Sequence, residues 1–230
     1  MSYLLIGDIH SQGRPLAKVL EFARLRNLTP VFLGDLFDSR CDNSDTTYVY
    51  NLVRLAQKEL DAVALNSNHQ VRLRNFLDQQ FESPSYTSET WRSYYEFKEA
   101  GVDMGELREW LGSLPDGFSF KDKDGRLYGC SHAYFPLKWV DHDTKQGEAR
   151  VYYCNGSDDE ETVVWGPHRH GRRRLHWWKD ETPRSWTRCA GHYHTVYTSE
   201  NNLVLDANSG YPDGQVPAYD VDAKELVYFD

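Results

Sequence analysis

Two side chains that can bind a metal ion follow the first apolar stretch of the chain. Residues 4–6 are Leu, Leu and Ile, and Gly7 ends the run, a pattern typical of a strand buried on both faces. Asp8 and His10 come next, and positions two apart in an extended segment point the same way. The two side chains could therefore bind one cation together. Alone, this pair is a weak indication, because Asp and His are common in loops.

Similar groups follow four later predicted strands. They are Asp35, Asn68, His132, and His192 with His194. In open α/β sheets, ligands gather at the carboxyl ends of the strands. Separate structural roles would require five coincidences, whereas one two-metal site accounts for all five groups together. The recurrence therefore predicts a dinuclear metal site.

The first elements of the chain have the spacing of a strand–helix–strand unit. Pro15 suits the first turn of a helix that ends near Asn27. The predicted buried face of this helix contains Leu16, Val19, Leu20 and Ala23. Residues 29–35 have the pattern of a second buried strand. Two strands connected in this way pair in parallel through a right-handed crossover, so the acidic residues that follow them should lie at one edge of the sheet.

The next elements are predicted from their apolar periodicity. A helix is expected over residues 44–58, with Tyr48, Leu52 and Leu55 as its inner stripe. Residues 62–65 form a third strand that leads to Asn68. Another helix is expected over residues 70–77. These elements continue the alternation of strands and helices that is typical of an α/β fold.

Cap and turn signals predict the later elements. Asp103 and Glu106 resemble a capping box at the start of a helix that Pro115 ends. Residues 124–125 are Asp-Gly between two apolar runs, which indicates a β-hairpin. Short strands are expected over residues 187–191, 203–206, 218–221 and 226–229. No repeat or linker interrupts the chain, so a single domain over residues 1–230 is expected.

Composition narrows the class of protein. The formal net charge of -9 argues against a broad nucleic-acid-binding face, which needs clustered Lys and Arg. The four cysteines are widely scattered, so reduced thiols and a cytoplasmic protein are expected. No apolar run approaches the roughly 20 residues of a membrane span, and no membrane association is expected.

Five motifs in this order resemble those of the calcineurin-like metallophosphoesterases. They are Gly-Asp-Ile-His at 7–10, Gly-Asp-Leu-Phe-Asp at 34–38, Asn-His at 68–69, Ser-His-Ala at 131–133 and Gly-His-Tyr-His at 191–194. The short chain is most similar to the phage and bacterial phosphoprotein phosphatase branch, whose relatives include dinucleoside polyphosphate phosphatases. The resemblance implies an α/β fold of the metallophosphoesterase type, a four-layer β-sandwich flanked by helices.

The resemblance also implies a role for each motif residue. It assigns Asp8, His10 and His194 to one metal, Asn68, His132 and His192 to the other, and Asp35 to the bridge between them. The implied ions are divalent, with Mn most expected and Fe, Zn, Co or Ni as alternatives. Two such ions about 3.5–4 Å apart can activate a water molecule and neutralise phosphoryl charge. His69 is implied as the general acid for the leaving oxygen, with Asp38 orienting it.

The residues that bind the substrate phosphate are predicted less directly. The branch has Asp-Arg-Gly where this chain has Asp-Ser-Arg at 38–40, so Arg40 is a candidate one position later. Arg72 is a second candidate beside the Asn-His motif. The basic, aromatic stretch at 165–178 offers Arg169 and Arg172. That stretch could also hold a nucleotide by stacking and phosphate contacts, or be a solvated loop.

The expected activity is hydrolysis of phosphomonoesters by attack of a metal-bridging hydroxide, as in protein phosphatases. The expected partner is a phosphorylated substrate, either a phosphoprotein or a nucleotide. One alternative is a phosphodiesterase acting on nucleotides, dinucleoside polyphosphates or oligonucleotides. Another is a non-catalytic protein-binding module on the same fold, but the presence of both His69 and Asp38 favours an enzyme.

Overall fold

The computed structural model describes residues 2–41, 44–78, 87–133 and 185–230. The basic, aromatic stretch at 165–178, with Arg169 and Arg172, lies outside the described residues. The described strands are β1 (Tyr3–Ile6), β2 (Thr29–Phe32), β3 (Val63–Ala64), β4 (Gly117–Lys121), β5 (Leu127–Ser131), β6 (Trp186–Ala190), β7 (Val196–Thr198), β8 (Asn202–Leu205), β9 (Val216–Asp220) and β10 (Glu225–Phe229). The described helices are α1 (Gly13–Arg26), α2 (Thr46–Glu59), α3 (Asn68–Leu77), α4 (Ser88–Glu99) and α5 (Met104–Ser113).

The strands form two sheets. The first has the order β10-β9-β1-β2-β3, and β1, β2 and β3 run parallel, as the strand–helix–strand pattern predicts. The second has the order β4-β5-β6-β8-β7, with β5, β6 and β8 parallel. The predicted hairpin is confirmed, because β4 and β5 pair antiparallel around Gly125, whose φ of +81° favours glycine. The predicted α/β fold is confirmed as well.

Strand β1 is buried on both faces, as its sequence predicts. Leu4 and Ile6 belong to the apolar cluster between the first sheet and the helices. Tyr3 and Leu5 belong to a second cluster that lies between the two sheets. Successive side chains of a strand point to opposite faces, so this one strand joins both cores. Each described helix contributes side chains to the first of these clusters.

Helix α1 matches its prediction, whereas the predicted buried face of α2 is wrong. The left-handed Asn27, with φ of 54°, ends α1 after the expected buried stripe. In α2, Tyr48 is 42% exposed and Leu55 is 38% exposed, while Val49, Val53 and Ala56 are buried. Tyr50 is buried as well, and Leu52, the third residue of the predicted stripe, packs against the core while partly buried. A helix with several apolar residues has overlapping stripes, and the elements packed against α2 decide which one is buried.

The other predicted caps and strands are found, with one addition. Asp103 accepts hydrogen bonds from the backbone N–H groups of Gly105 and Glu106 at 2.8 and 3.0 Å, which caps α5. Strand β7 lies at the edge of the second sheet and was not predicted. Cys41, Cys130 and Cys189 are free thiols. Within the described ranges, no helix is long and apolar enough to cross a membrane.

Candidate metal centre

The candidate site lies where the carboxyl ends of strands from both sheets meet. Two glycines permit this close approach. A Cβ atom on Gly34 would lie 2.6 Å from Nδ1 of His132, and one on Gly191 would lie 1.8 Å from a carboxylate oxygen of Asp8. Both distances are shorter than a van der Waals contact, so these positions need a residue without a side chain. The glycines in the Gly-Asp and Gly-His motifs therefore bring the two sheets into contact at the site.

The side chain of Asp35 lies at the middle of the site. Its Oδ2 atom is 3.6 Å from Nε2 of His10, 3.3 Å from Nε2 of His132 and 3.9 Å from Nε2 of His69. Its other oxygen, Oδ1, is buried and has no hydrogen-bond partner among the described residues. Burial raises the pKa of Asp35, but the imidazoles of His132, His69 and His10 outweigh it and lower the pKa well below its usual value. An ionised, unpartnered carboxylate oxygen at this position suits a cation.

One group of possible ligands surrounds His132. Its Nδ1 atom is 3.0 Å from the backbone carbonyl oxygen of Leu33, which can only accept, so Nδ1 carries the proton. In the neutral ring, Nε2 then presents a lone pair to the site. The Nε2 atom is 2.8 Å from Oδ1 of Asn68 and 3.1 Å from Nδ1 of His192. Burial lowers the pKa of His192 to about 3, helped by the charge of His132, so its imidazole is neutral and able to bind a metal.

A second group lies around His10. The Nδ1 atom of His10 is 3.0 Å from the carbonyl oxygens of both Phe37 and Asp38, so Nδ1 donates and Nε2 points into the site. Burial lowers the pKa of His10, and this effect outweighs the negative charge of Asp35, which acts to raise the pKa. Asp8 is 1% exposed, and one of its oxygens is 4.0 Å from Nε2 of His10. Burial raises the pKa of Asp8 well above its usual value, and the charges of Asp206 and Asp35 raise it further.

The last predicted ligand, His194, lies apart from these groups. In the described part of the chain, the sets of three ligand atoms within 4.8 Å of one another are His10–Asp35–His69 and Asp35–His132–His192. The side chain of His194 is 58% exposed, and its Nδ1 atom is 3.7 Å from Oδ2 of Asp206. Its backbone N–H also donates to that oxygen at 2.5 Å. The structure thus brings His69, and not His194, into the group around His10.

The start of α3 positions both residues of the Asn-His motif. The side chain of Ser67 caps the helix by accepting a hydrogen bond from the backbone N–H of Gln70 at 3.4 Å. The Ser67 hydroxyl in turn donates to Oε1 of the Gln70 side chain. Nε2 of the same Gln70 side chain donates to the Leu65 carbonyl at 3.3 Å. Ser67 and Gln70 thus bond to each other on either side of the Asn-His motif. Asn68 and His69 therefore lie in the first helical turn and face the site.

His69 and Asp38 form a hydrogen-bonded pair. Nδ1 of His69 donates to Oδ2 of Asp38 at 2.9 Å, while Nε2 of the same ring is directed towards Asp35. Burial acts to raise the pKa of Asp38. The net pKa is nevertheless below its usual value, because His69 contributes a hydrogen bond and a charge and because Ser93 and Thr90 donate hydrogen bonds. Burial lowers the pKa of His69, but Asp35 and Asp38 outweigh it and raise the pKa.

Two of the predicted arginines line the cavity above this centre, which has a volume of about 220 Å³. The guanidinium of Arg40 lies 4.8 Å from the centre of the Tyr211 ring and hydrogen-bonds its hydroxyl. Its Nε is 3.4 Å from a carboxylate oxygen of Glu89. Nη1 of Arg72 is 3.5 Å from Nε2 of His69. Two arginines therefore line the cavity, and one of them, Arg40, is paired with an acid.

The family model of the calcineurin-like phosphoesterases matches residues 1–222. The chain belongs to this family. The predicted recognition is thus confirmed, and so is the prediction of a metal-dependent phosphoesterase. The comparison with curated proteins gives no significant match.

A comparison with solved structures also finds proteins with the same fold. A putative diadenosine tetraphosphatase is 18% identical, with a TM-score of 0.60 over 99% of this chain and 92% of that one. A hypothetical protein of Pyrococcus horikoshii is 12% identical, with a TM-score of 0.56 over 100% and 87%. A cold-active protein-tyrosine phosphatase of Shewanella is 14% identical, with a TM-score of 0.52 over 100% and 80%. At these sequence identities the similarity shows the fold of the phosphoesterase but not its substrate.

Enzymes of this family use a dinuclear divalent metal centre, and the residues of this phosphoesterase fit one. The unpartnered Oδ1 atom of Asp35 and the inward lone pairs of His10 and His132 are the features that a cation would satisfy. The donors are carboxylate, amide and imidazole groups, which suit first-row divalent metals and not a structural thiolate zinc site.

Sequence reasoning missed several residues of this site. Asp206 directly follows β8 and is 1% exposed beside Asp8. An acid at a strand end is the signal used for Asp35, so the same rule could have found it. Tyr211, Thr90 and Ser93 gave no such signal, because their positions on a loop and on α4 are ordinary in the sequence.

Proposed function

We propose that this phosphoesterase hydrolyses phosphomonoesters at a two-metal centre, in the manner of a protein phosphatase. Asp35 would contribute to both metals in this proposal. Asp8, His10 and His194 would hold one metal, and Asn68, His132 and His192 would hold the other. The inward orientation of the His10 and His132 rings supports these two assignments. For His194, support comes only from its motif, because its ring is mostly exposed.

The proposed ions are divalent, with manganese first and Fe, Zn, Co or Ni as alternatives, since mixed oxygen and imidazole ligands suit this class of metal. When bound, two divalent ions would acidify a water molecule and neutralise charge on the phosphoryl group. The protein's part is to keep the ligands deprotonated and fixed. The lowered pKa values of His10, His192 and Asp35 support this role, whereas Asp8, whose pKa is raised by burial, would have to release its proton when a metal binds.

The observation that carries the proposal is the pair of His69 and Asp38. With Nδ1 bonded to Asp38, a protonated His69 holds its second proton on Nε2, the atom directed towards the centre. Transfer of this proton to the leaving oxygen would assist departure of a poor leaving group. Asp38 stays ionised and stabilises the imidazolium. A protein that only bound partners would not need a buried acid behind this imidazole.

Arg40 and Arg72 are proposed to bind the phosphate of the substrate. Both guanidinium groups border the cavity, and charge-assisted hydrogen bonds to phosphate oxygens are among the stronger polar contacts. Arg169 and Arg172 remain candidates from the sequence for the same role.

The test is a metal-dependent activity screen with controlled leaving groups. The protein is freed of metal by chelation, reloaded with Mn and offered p-nitrophenyl phosphate, phosphoserine, a phosphopeptide and bis-p-nitrophenyl phosphate. The expected result is activity that needs added metal and favours the monoesters. Full activity after exhaustive chelation, or preference for the diester, would contradict the proposal.

A second candidate is hydrolysis of dinucleoside polyphosphates. Tyr211 and Arg40 border the same cavity and offer an aromatic ring beside a cation, which are groups that bind nucleotides by stacking and phosphate contacts. A structural neighbour carries the description putative diadenosine tetraphosphatase. Adding diadenosine tetraphosphate to the screen separates the candidates, because each predicts a different best substrate.

A further inference from the structure

Helix α4 contributes two hydroxyl groups to the catalytic pair of the proposed mechanism. Oγ1 of Thr90 donates to Oδ2 of Asp38 at 2.8 Å, and Oγ of Ser93 donates to Oδ1 of Asp38 at 2.6 Å. The two residues are three apart on the helix, so they lie on one face. Thr90 is 0% exposed and Ser93 is 1% exposed. Both hydroxyls are therefore committed to a buried carboxylate and not to solvent.

The backbone of Asp38 is held by the same helix. Asp38 has φ of 67°, in the left-handed region that a residue with a side chain adopts at a cost. Its backbone N–H donates to Oγ of Ser93 at 3.2 Å. Ser93 thus accepts from the peptide of Asp38 and donates to its side chain. Such a conformation persists only where the surrounding structure holds it in place.

The hydroxyls also decide how Asp38 can face His69. The Asp38 carboxylate accepts three hydrogen bonds, with His69 and Thr90 on Oδ2 and Ser93 on Oδ1. With donors on both oxygens, the carboxylate has one favoured rotation. Oδ2 then faces Nδ1 of His69, and Nε2 is left to face the centre. Ser and Thr inside helices commonly point to solvent or bond to a carbonyl of their own helix, whereas these two donate to a carboxylate that is distant in the chain.

We propose that Thr90 and Ser93 are positioning residues, which hold Asp38, and through it the His69 ring, in the orientation needed for proton donation. The inference rests on the proposed role of His69 as the general acid. Thr90 and Ser93 do not contact the substrate themselves. In the neutral ring of His69, they keep the single proton on Nδ1. When the ring becomes an imidazolium, its second proton is then on Nε2.

The test compares Thr90→Val with Ser93→Ala, alone and together, since each change removes a hydroxyl and keeps similar volume. The first readout is nitrogen-15 NMR of His69 in the metal-free protein. Wild type should show a proton on Nδ1 that exchanges slowly with water. The double variant should lose the slow exchange and populate both tautomers. This readout needs no enzyme activity.

The second readout is the dependence of rate on the leaving group. We expect kcat on an alkyl phosphate to fall about 10- to 100-fold in the double variant, by analogy with the loss of outer hydrogen-bond partners at metal sites. We expect a much smaller loss on p-nitrophenyl phosphate, with KM and metal content unchanged. Thr90→Ser, which keeps the hydroxyl, should behave like wild type.

Ser113→Ala is the matched control, because Ser113 is exposed on α5 and its hydroxyl donates to the backbone carbonyl of Trp110 in the same helix, away from Asp38. This change should leave both readouts at the wild-type values. If the double variant keeps the protected Nδ1 proton and the wild-type ratio of rates, the inference is wrong. If the double variant does not fold, the single variants are judged by the same two readouts. If the NMR signal changes as expected but wild type cleaves no phosphate ester, the positioning is supported and the proposed function fails.

Discussion

The carboxylate of Asp35 and the imidazole of His132 meet across the junction of the two sheets, with 3.3 Å between Oδ2 and Nε2. Asp35 follows β2 of the first sheet, and His132 follows β5 of the second. Because neither sheet holds both residues, the centre exists only when the sheets are packed together. Metal binding should therefore stabilise the folded protein, since a ligand that binds only the native state favours it.

The first prediction concerns Asp35, which is placed between the two proposed metals. Asp35→Asn removes the negative charge at the middle of the site, so activity should be abolished and metal content should fall. The fold should remain intact, because Oδ1 has no hydrogen-bond partner among the described residues to lose. Metal analysis by mass spectrometry and circular dichroism check these expectations. Normal metal content in the variant would contradict the bridging role.

The second prediction tests His69. A general acid contributes about 10²–10⁴-fold to rate when the leaving group needs a proton. His69→Ala should therefore lose far more rate on an alkyl phosphate than on p-nitrophenyl phosphate, whose leaving group departs readily as an anion. Both metals should be retained. Asp38→Asn should have the same effect in milder form, because the ring remains.

The geometry makes the metal analysis of His69→Ala decisive. Nε2 of His69 lies within 4.8 Å of ligand atoms of His10 and Asp35, so His69 could bind a metal instead of donating a proton. Loss of one metal in this variant would assign it that role, and equal rate losses on both substrates would show that His69 is not the general acid.

The third prediction concerns the arginines at the cavity. If Arg40 and Arg72 bind the substrate phosphate, changing either to Ala should raise KM without changing metal content. Arg24→Ala is the control, because Arg24 forms an exposed ion pair with Glu59 on the surface. Steady-state kinetics on the best substrate check this expectation. Unchanged kinetics in both cavity variants would favour Arg169 and Arg172 as the phosphate ligands.

The fourth prediction is a pH dependence of stability in the metal-free protein. Burial lowers the pKa of His192 to about 3 in the folded state, whereas an unfolded histidine titrates near 6.5. Between these values the unfolded chain binds a proton that the folded protein does not. The free energy of unfolding should therefore fall as pH drops from about 6.5 towards 3, by up to about 1.4 kcal/mol per pH unit from this residue.

Urea unfolding at several pH values measures this slope. His192→Gln removes the titrating ring and should show a shallower decline than wild type over the same range. The carboxylates titrate in both proteins, so the difference between the two slopes measures the contribution of His192. Equal slopes would mean that His192 is not buried in a neutral form.

The fifth prediction concerns Gly191, where a Cβ atom would collide with the Asp8 carboxylate. Gly191→Ala should displace Asp8, lower metal affinity and reduce activity. Gly112→Ala is the control, because Gly112 lies within α5 and a Cβ there would be 3.9 Å from the side chain of Arg74, an ordinary contact. Replacing a helical glycine by alanine is expected to be neutral or stabilising by about 0.4–1 kcal/mol. Calorimetric metal titration of both variants checks the difference.

The sequence by itself determined the elements whose signals are local. Apolar runs, turn residues and caps identified the parallel strands of the first sheet, the hairpin around Gly125 and the cap at Asp103. Motif spacing then indicated Asp8, Asp35 and the histidines as candidates for one centre. These features are readable because backbone conformation and strand direction depend on neighbouring residues.

Tertiary packing decided the rest. The face that α2 buries depends on the elements packed against it, so Val49 and Val53 are buried where Tyr48 was expected. Asp206 reaches Asp8 only because β8 lies in the second sheet. Thr90 and Ser93 reach Asp38 from more than 50 positions away along the chain. Such contacts depend on how close-packed elements fit together, and no local pattern of residues specifies that fit.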